Sequence, residues 1–579
     1  MKTVLKYYKK YIPVVICIGL VLFCQVMCEL ALPGYMSDII NNGVIAGDMS
    51  YIRSTGMVML LVAALGMIAA ITANFMGAKT AAGAARKIRE AMFRKVMSFS
   101  EAELQQFSTA SLITRSTNDI QMVQQASVML LRMAFFAPIM GIGAVIKALK
   151  TSVPLSWTIG IALITVMIIM AISFMAIFSR FKVLQEKLDK VNLIMKERLE
   201  GILVIRAFNT EKKEEKRFDN ANREVTGINR YVNKAMSFMM PALTFVMSAT
   251  GVLIVWAGAH MVETGTLPIG DMLAYLQYAM HVIMSFLVIT MIFMMIPRAT
   301  VSAGRIGEVL DVEPTITDPK FPETVDSCRG EITFRNVGFK YPDADEEVIR
   351  NIDFTAEPGK FTAIIGGTGS GKSTIFKLIP RFYDVTEGQI LLDGHDIRNL
   401  SLEQLREYIG YVPQKGLLFS GTIADNMRFG KGDATDDEIN WAISIAQATD
   451  FVEEKEEGIY SSIAQGGTNV SGGQKQRLSI ARALVKRPKV YLFDDSFSAL
   501  DFKTDKILRE TLAAEVGDAA MIVVAQRINT VLDADQIIVL DEGRMVGKGT
   551  HRELMQSCEV YKEIALSQLS EEELERGCE

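Results

Sequence analysis

Nine consecutive residues, Gly366-Gly367-Thr368-Gly369-Ser370-Gly371-Lys372-Ser373-Thr374, contain four glycines, one lysine and four hydroxyls. A short apolar run, Phe361 to Ile365, leads into them, and Ile375 to Ile379 follows at helical spacing. Strand, loop and helix in that order make a phosphate-binding loop. Its glycines let backbone N–H groups curl round phosphates, Lys372 reaches the β and γ groups, and the Ser373 hydroxyl is placed to ligate Mg2+. A second apolar run, Val490 to Phe493, ends in Asp494, a carboxylate expected to hold Mg2+ through water at the carboxyl edge of a parallel sheet. Between the two, Val470-Ser471-Gly472-Gly473-Gln474 precedes a run of helical periodicity, KQRLSIARALV. A serine and two glycines at a helix N-terminus read either as an ordinary cap or as an anion site. A second phosphate-binding loop in one domain suggests that it serves a nucleotide held by another subunit.

These segments occupy only the second half of the chain. Of the 579 residues 50% are hydrophobic and 22% charged, and the mean hydropathy is +0.23, the mixture of a part-membrane, part-soluble protein. Apolar content this high excludes intrinsic disorder, and a net charge of −5 argues against a generally basic nucleic-acid binder. Cys17, Cys24 and Cys28 share one apolar run while Cys328, Cys558 and Cys578 are scattered, which is neither a disulfide framework nor zinc spacing.

Residues 13–32 follow Lys2, Lys6, Lys9 and Lys10. The run is long for a secretory signal and no A-x-A site closes it, so a retained span is expected. Residues 57–77, 127–148, 156–178, 236–258 and 272–297 have the same length, about 20 residues, that hydrocarbon requires. Seven Lys and Arg residues fall in 78–126 and fourteen in 179–235, against little beyond Arg53 and Lys150 in the opposite loops. Six spans with both termini cytoplasmic is the topology this charge pattern implies. The two inner connections are proline-poor and read as helical extensions of the spans, with turns near Gln105–Leu112 and Ala207–Lys212. They are either solvated helices or levers. Glu29, inside the first span, either lines a substrate path or makes an interhelical hydrogen bond or sits at an exposed outer end. Methionines around the last span (Met272, Met280, Met284, Met291, Met294, Met295) either pack or offer an adaptable apolar surface. The expected division is a six-span domain over 1–300, a linker over 301–328, a soluble α/β domain over 329–566 and an acidic tail over 567–579.

Taken together, the residues resemble those of the ATP-binding-cassette exporters over essentially the whole chain. VSGGQ (470–474) looks like the family signature. The resemblance implies that Tyr341 stacks on adenine, that Gln414 in YVPQ touches Mg2+ and senses the membrane domain, and that Ser498-Ala499-Leu500-Asp501 is the D-loop. The linker SAGRIGEVLDVEP and EGILVIRAFNTE (200–211) are also similar to those of exporters. The fold so implied is an all-α six-helix transmembrane domain with long intracellular helical loops, fused to a cytosolic α/β P-loop nucleotide-binding domain. ATP and Mg2+ are the implied ligands. Two cassettes would close head to tail, each ATP lying between one chain's phosphate loop and the other's signature, in a cell-membrane protein acting on hydrophobic small molecules in the lipid bilayer.

Three positions depart from the family pattern, two of them on the phosphate-loop side. The residue after the Mg2+ aspartate is Asp495 where glutamate usually serves as the general base, one methylene short of its task. Gln526, in VVAQRIN, stands in the place of the switch histidine; its amide can hydrogen-bond but carries no positive charge. Gln465 also replaces a common glutamate ahead of the signature. With the signature intact, these losses fit a heterodimer whose partner carries the glutamate and histidine, this chain holding a slow, degenerate ATP site. A slow homodimer and an ATP-gated channel or regulator are the alternatives. An importer is disfavoured because importer cassettes usually form separate chains, and the lack of a peptidase before the first span disfavours a processing peptide exporter.

Overall fold

The computed structural model describes residues 2–342 and 344–569, so positions 570–579 of the expected acidic tail lie outside the described residues. The chain divides into two compact units, Met1–Val96 with Thr109–Val312, and Met97–Ser108 with the chain from Glu313 onward.

Among the described residues, six helices carry stretches long and apolar enough to cross a membrane: Ile12–Asp38, Met49–Met97, Ile120–Thr151, Ser156–Glu200, Glu211–Glu263 and Ile269–Asp311. In the first, Ile18, Leu22, Val26 and Leu30 recur every four residues and are at most 1% exposed, whereas Ile16, Leu20 and Phe23 are open. The closed stripe is the packing face of a helix, and an open apolar face is stable only in an apolar surrounding. The stripe meets the third and sixth helices: Tyr278 donates a hydrogen bond to the Leu30 carbonyl at 3.2 Å, and Gly143 leaves the room that Leu30 fills. Glu29 is bonded within its own helix, accepting from Gln25 Nε2 at 2.8 Å, so the partner found here is four residues back and not on another helix.

The second, fourth and fifth of these helices outrun the bilayer most. The 49, 45 and 53 residues of the second, fourth and fifth correspond to lengths of roughly 70–80 Å, more than twice the hydrocarbon thickness of about 30 Å. The connections 78–126 and 179–235 thus begin and end as helical extensions of the spans, as their composition implies. The expected turns are found at 107–108, which a short helix Thr109–Thr114 follows, and at 208–210; the short helices ahead of them are Glu101–Gln106 and Ile202–Ala207. Ser100 and Glu103 form a capping box that starts the first, with the Ser100 N–H donating to Glu103 at 2.6 Å, and Gly201 breaks the helix ahead of the second. The sixth helix continues through the expected linker start to Asp311.

The second unit is built on a six-stranded sheet in the order Arg544–Gly549, Gln536–Asp541, Phe361–Gly366, Ala520–Val524, Val490–Asp494, Ile409–Val412. Only the first pairing is antiparallel. Val490–Asp494 is buried at every position, which is why it reads as an unbroken apolar run instead of alternating. An antiparallel sheet of Ile349–Ala356, Ile332–Phe339, Glu387–Leu392 and His395–Asp396 lies in the same unit. The helix Glu101–Gln106 is integral to this unit too. Glu103 accepts from the Thr315 N–H at 3.1 Å and its hydroxyl at 2.8 Å, and Lys377 of the phosphate-loop helix pairs with Glu101.

Candidate nucleotide site

Four neighbouring parallel strands deliver the expected residues to one edge of the sheet. Phe361–Gly366 leads into the phosphate loop, Ala520–Val524 towards Gln526, Val490–Asp494 to Asp495, and Ile409–Val412 towards Gln414. Carboxyl ends of parallel strands are where such sheets bind ligands. Gly369 and Gly371 take φ of +86° and +97°, a region that strains any residue with a side chain, and the turn they allow presents Lys372 at the start of the helix Lys372–Leu378. Lys372 Nζ lies back across the loop, donating to the carbonyls of Gly366 at 2.8 Å and Gly367 at 2.7 Å. Burial lowers its pKa, and the charges of Asp495 and Asp494 oppose that shift.

The donor set fits a nucleotide phosphate with Mg2+. Ser370 Oγ is buried and has no hydrogen-bond partner among the described residues, an orphan that a phosphate oxygen would satisfy. Ser373 Oγ and Asp494 Oδ1 stand 3.5 Å apart, and a hydroxyl beside a carboxylate is the all-oxygen pair that a hard cation takes. Asp494 has its pKa pushed up to about 6, by burial first and by the neighbouring Asp495 second. A divalent cation would counter both causes of the shift by supplying the missing positive charge. Tyr341 joins this region through its hydroxyl, 3.1 Å from Thr374 Oγ1, while its ring packs edge-on against Phe339 and Tyr383.

Asp495 is the convergence point of the site. Its backbone is left-handed, φ +48°, and its N–H donates to the Val524 carbonyl at 3.0 Å, joining it to the strand that leads to Gln526. Gln526 Nε2 donates to Asp495 Oδ2 at 2.8 Å, and Gln414 Nε2 donates to the same oxygen at 3.2 Å. Burial raises the Asp495 pKa, and bonds to Gln414 and Ser498 offset part of the rise. One carboxylate oxygen of Asp495 is therefore committed to two amides.

The signature residues cap a different helix. Ser471 is the N-cap of Gly472–Val485: its Oγ accepts from the Gln474 N–H at 3.3 Å, and the Gln474 side chain accepts from the Ser471 N–H at 2.9 Å. The D-loop backbone crowds this turn, since a Cβ on Gly473 would stand 3.3 Å from the Ala499 carbonyl oxygen. Ser498 Oγ donates to the Asp495 carbonyl at 2.9 Å, Leu500 is buried, and Asp501 N-caps the next helix, Phe502–Glu515, through the Thr504 N–H at 3.0 Å.

Two residues outside the expected set also hold these loops. Gln476, two positions past the signature, bonds the backbone on both sides of Gln414: its Oε1 accepts from the Gly416 N–H at 3.0 Å and its Nε2 donates to the Pro413 carbonyl at 3.2 Å. A glutamine inside an amphipathic helical run was the available signal. Gln568, in the stretch expected to be tail, donates to the Gln526 carbonyl at 2.9 Å and accepts from the Ile528 N–H at 2.9 Å; nothing local in the sequence marks it.

Comparison with known proteins agrees with this architecture. The profile of the ABC transporter transmembrane region matches residues 15–286, and that of the ABC transporter proper matches 349–498. An uncharacterized ABC transporter ATP-binding protein of Mycobacterium tuberculosis is 39% identical over 570 residues, covering 97% of this chain and 96% of that protein. The chain belongs to the ABC transporter family. A multidrug resistance ABC transporter ATP-binding and permease protein of Lactococcus lactis is 28% identical, over 94% of this chain and 91% of its own length. In fold, this half-transporter is similar to a bacterial Atm1-family ABC exporter solved with ATP bound, at a TM-score of 0.79 and 24% identity, covering 97% of this chain and 99% of that one.

Proposed function

We propose that this half-transporter is one subunit of a heterodimeric, ATP-driven exporter of hydrophobic drugs or lipid-like compounds, and that its own phosphate loop serves a slow ATP site. The observation carrying this reading is the double hold on Asp495 Oδ2 by Gln526 and Gln414. A general base needs a free oxygen within hydrogen-bond reach of the attacking water, and a shortened carboxylate already accepting two amide bonds meets that need poorly. In this reading the backbone of 366–371 and Lys372 bind the triphosphate, Tyr341 bears on the adenine, and Ser373, Gln414 and, through water, Asp494 hold Mg2+, which supplies charge neutralisation to the phosphates. Ser471, Gly472, Gly473 and Gln474 present their helix N-terminus to the nucleotide bound by the partner, whose own glutamate and histidine complete the competent site. The multidrug resistance assigned by name to the Lactococcus relative supports a hydrophobic substrate. Purifying the complex from its native membrane tests the pairing: a second, different ABC chain in equal amount is expected, and this chain alone at twice the amount would refute it.

The same reading puts the chain in the cell membrane with both termini cytoplasmic. On a cysteine-free background, Ala46→Cys and Glu263→Cys are expected to react with an impermeant maleimide in intact cells and Lys213→Cys is not. Ala46 is chosen over Gly43 because a side chain at 43 would collide with Ile52. Labelling at 213 would overturn the orientation.

Phe208, at the end of the short helix Ile202–Ala207, is 75% exposed in this chain and Leu203 is 76% exposed. Apolar side chains this open outside the spans suit docking on a cassette. Truncation by Phe208→Ala is expected to leave ATP binding unchanged while transport falls by about tenfold or more, as for the loss of an aromatic anchor at an interface. Normal transport at normal expression would discard the assignment.

A further inference from the structure

We infer that Gln476 is a positioning residue that couples the two nucleotide contacts of this chain, by pinning the Gln414 loop to the helix whose N-terminus carries the signature. It is only 2% exposed: its carboxamide lies inside the unit and reaches the loop from the start of Gly472–Val485. Both of its bonds go to backbone, to the Pro413 carbonyl and the Gly416 N–H, which bracket Gln414 in sequence. The carboxamide therefore fixes the loop on either side of the residue that reaches Asp495, without bonding to that residue's side chain.

A second contact holds the same two segments together. A Cβ on Gly416 would stand 2.9 Å from the Lys475 carbonyl oxygen and 2.9 Å from Ser479 Oγ, so the loop backbone lies directly against the helix. A buried amide spanning two backbone groups has few ways to move without leaving one of them unsatisfied, which costs more than the bond itself contributes. Loop and helix therefore move as one body. The consequence rests on the site reading proposed above: a shift of Ser471–Gln474 against the partner's nucleotide repositions Gln414 at this chain's own Mg2+, and the reverse.

The test measures Mg2+ dependence of 8-azido-ATP photolabelling of this chain in the purified, full-length complex. Gln476→Met keeps the length and removes both polar atoms. It is expected to raise the half-saturating Mg2+ concentration about 5- to 10-fold, the effect of losing one to one and a half hydrogen bonds' worth of positioning. Gln414→Ala is expected to raise it as well, and the double variant to exceed neither single variant by more than about twofold, because both changes disable the same contact. Should Gln476→Met fold poorly, Gln476→Glu carries the test, since it keeps the acceptor for Gly416 and loses only the donor to Pro413. A Gln476 variant with a lowered melting temperature and an unchanged Mg2+ requirement, while Gln414→Ala shifts it, makes Gln476 a packing residue and overturns the inference. Independent, multiplicative effects of the two variants overturn it too. No shift for Gln414→Ala would refute the site reading itself, and the coupling with it.

Discussion

Ser471→Arg is expected to abolish ATP turnover by the purified complex, whereas Asp495→Asn leaves it within about twofold of wild type. Ser471 is the N-cap of its helix, and the Oγ that closes the first turn is held by the Gln474 N–H. An arginine there removes the cap and fills the space in front of the helix N-terminus, where the proposed heterodimer places the partner's γ-phosphate. Loss of preorganised donors at a developing charge costs about 10²–10³ in turnover, and steric exclusion adds to it. Asp495 belongs, in the proposed heterodimer, to the slow site, and its Oδ2 already accepts from Gln526 and Gln414. Replacing the carboxylate by an amide then removes little turnover. A homodimer has no other residue at that position, and there the same change should cost at least about 10². Steady-state ATPase of the two variants decides between the assemblies: equal, severe losses would exclude the heterodimer.

The second large effect is expected from Lys372→Ala, read as photolabelling of this chain by 8-azido-ATP. Lys372 is buried and its Nζ is held at the mouth of the loop by two carbonyls, so the loop itself positions the ammonium. Burial lowers its pKa, while the charges of Asp495 and Asp494 favour the protonated form and the incoming negative charge of a triphosphate favours it further. Removing one charge-assisted donor of this kind, worth about 1.5–3 kcal/mol, should weaken labelling about 10- to 100-fold. The partner's labelling is expected to change far less, because its phosphate loop is its own. Undiminished labelling of this chain would show that the glycine-rich loop is not where its nucleotide binds.

The segments legible from the amino-acid sequence alone were those whose chemistry is contiguous. A phosphate loop is nine residues between a strand and a helix, so Gly366 to Thr374 announce it without reference to the rest of the chain. Hydrocarbon thickness sets a minimum length for an apolar helix, which made six spans countable. The identities of Asp495 and Gln526 were enough to raise the question of a slow site. Their convergence on one carboxylate was not legible, because it depends on strand order. The sheet places Phe361–Gly366, Ala520–Val524, Val490–Asp494 and Ile409–Val412 side by side, an order unrelated to their sequence order. That order brings Gln526 and Gln414, 31 and 81 residues from Asp495, onto one carboxylate oxygen. The roles of Gln476, Gln568 and the Glu101–Gln106 helix were hidden for the same reason. A hydrogen bond is satisfied or lost within a few tenths of an ångström, and only the packing of distant segments sets distances that fine, whereas periodicity and composition report on a residue's own neighbours along the chain.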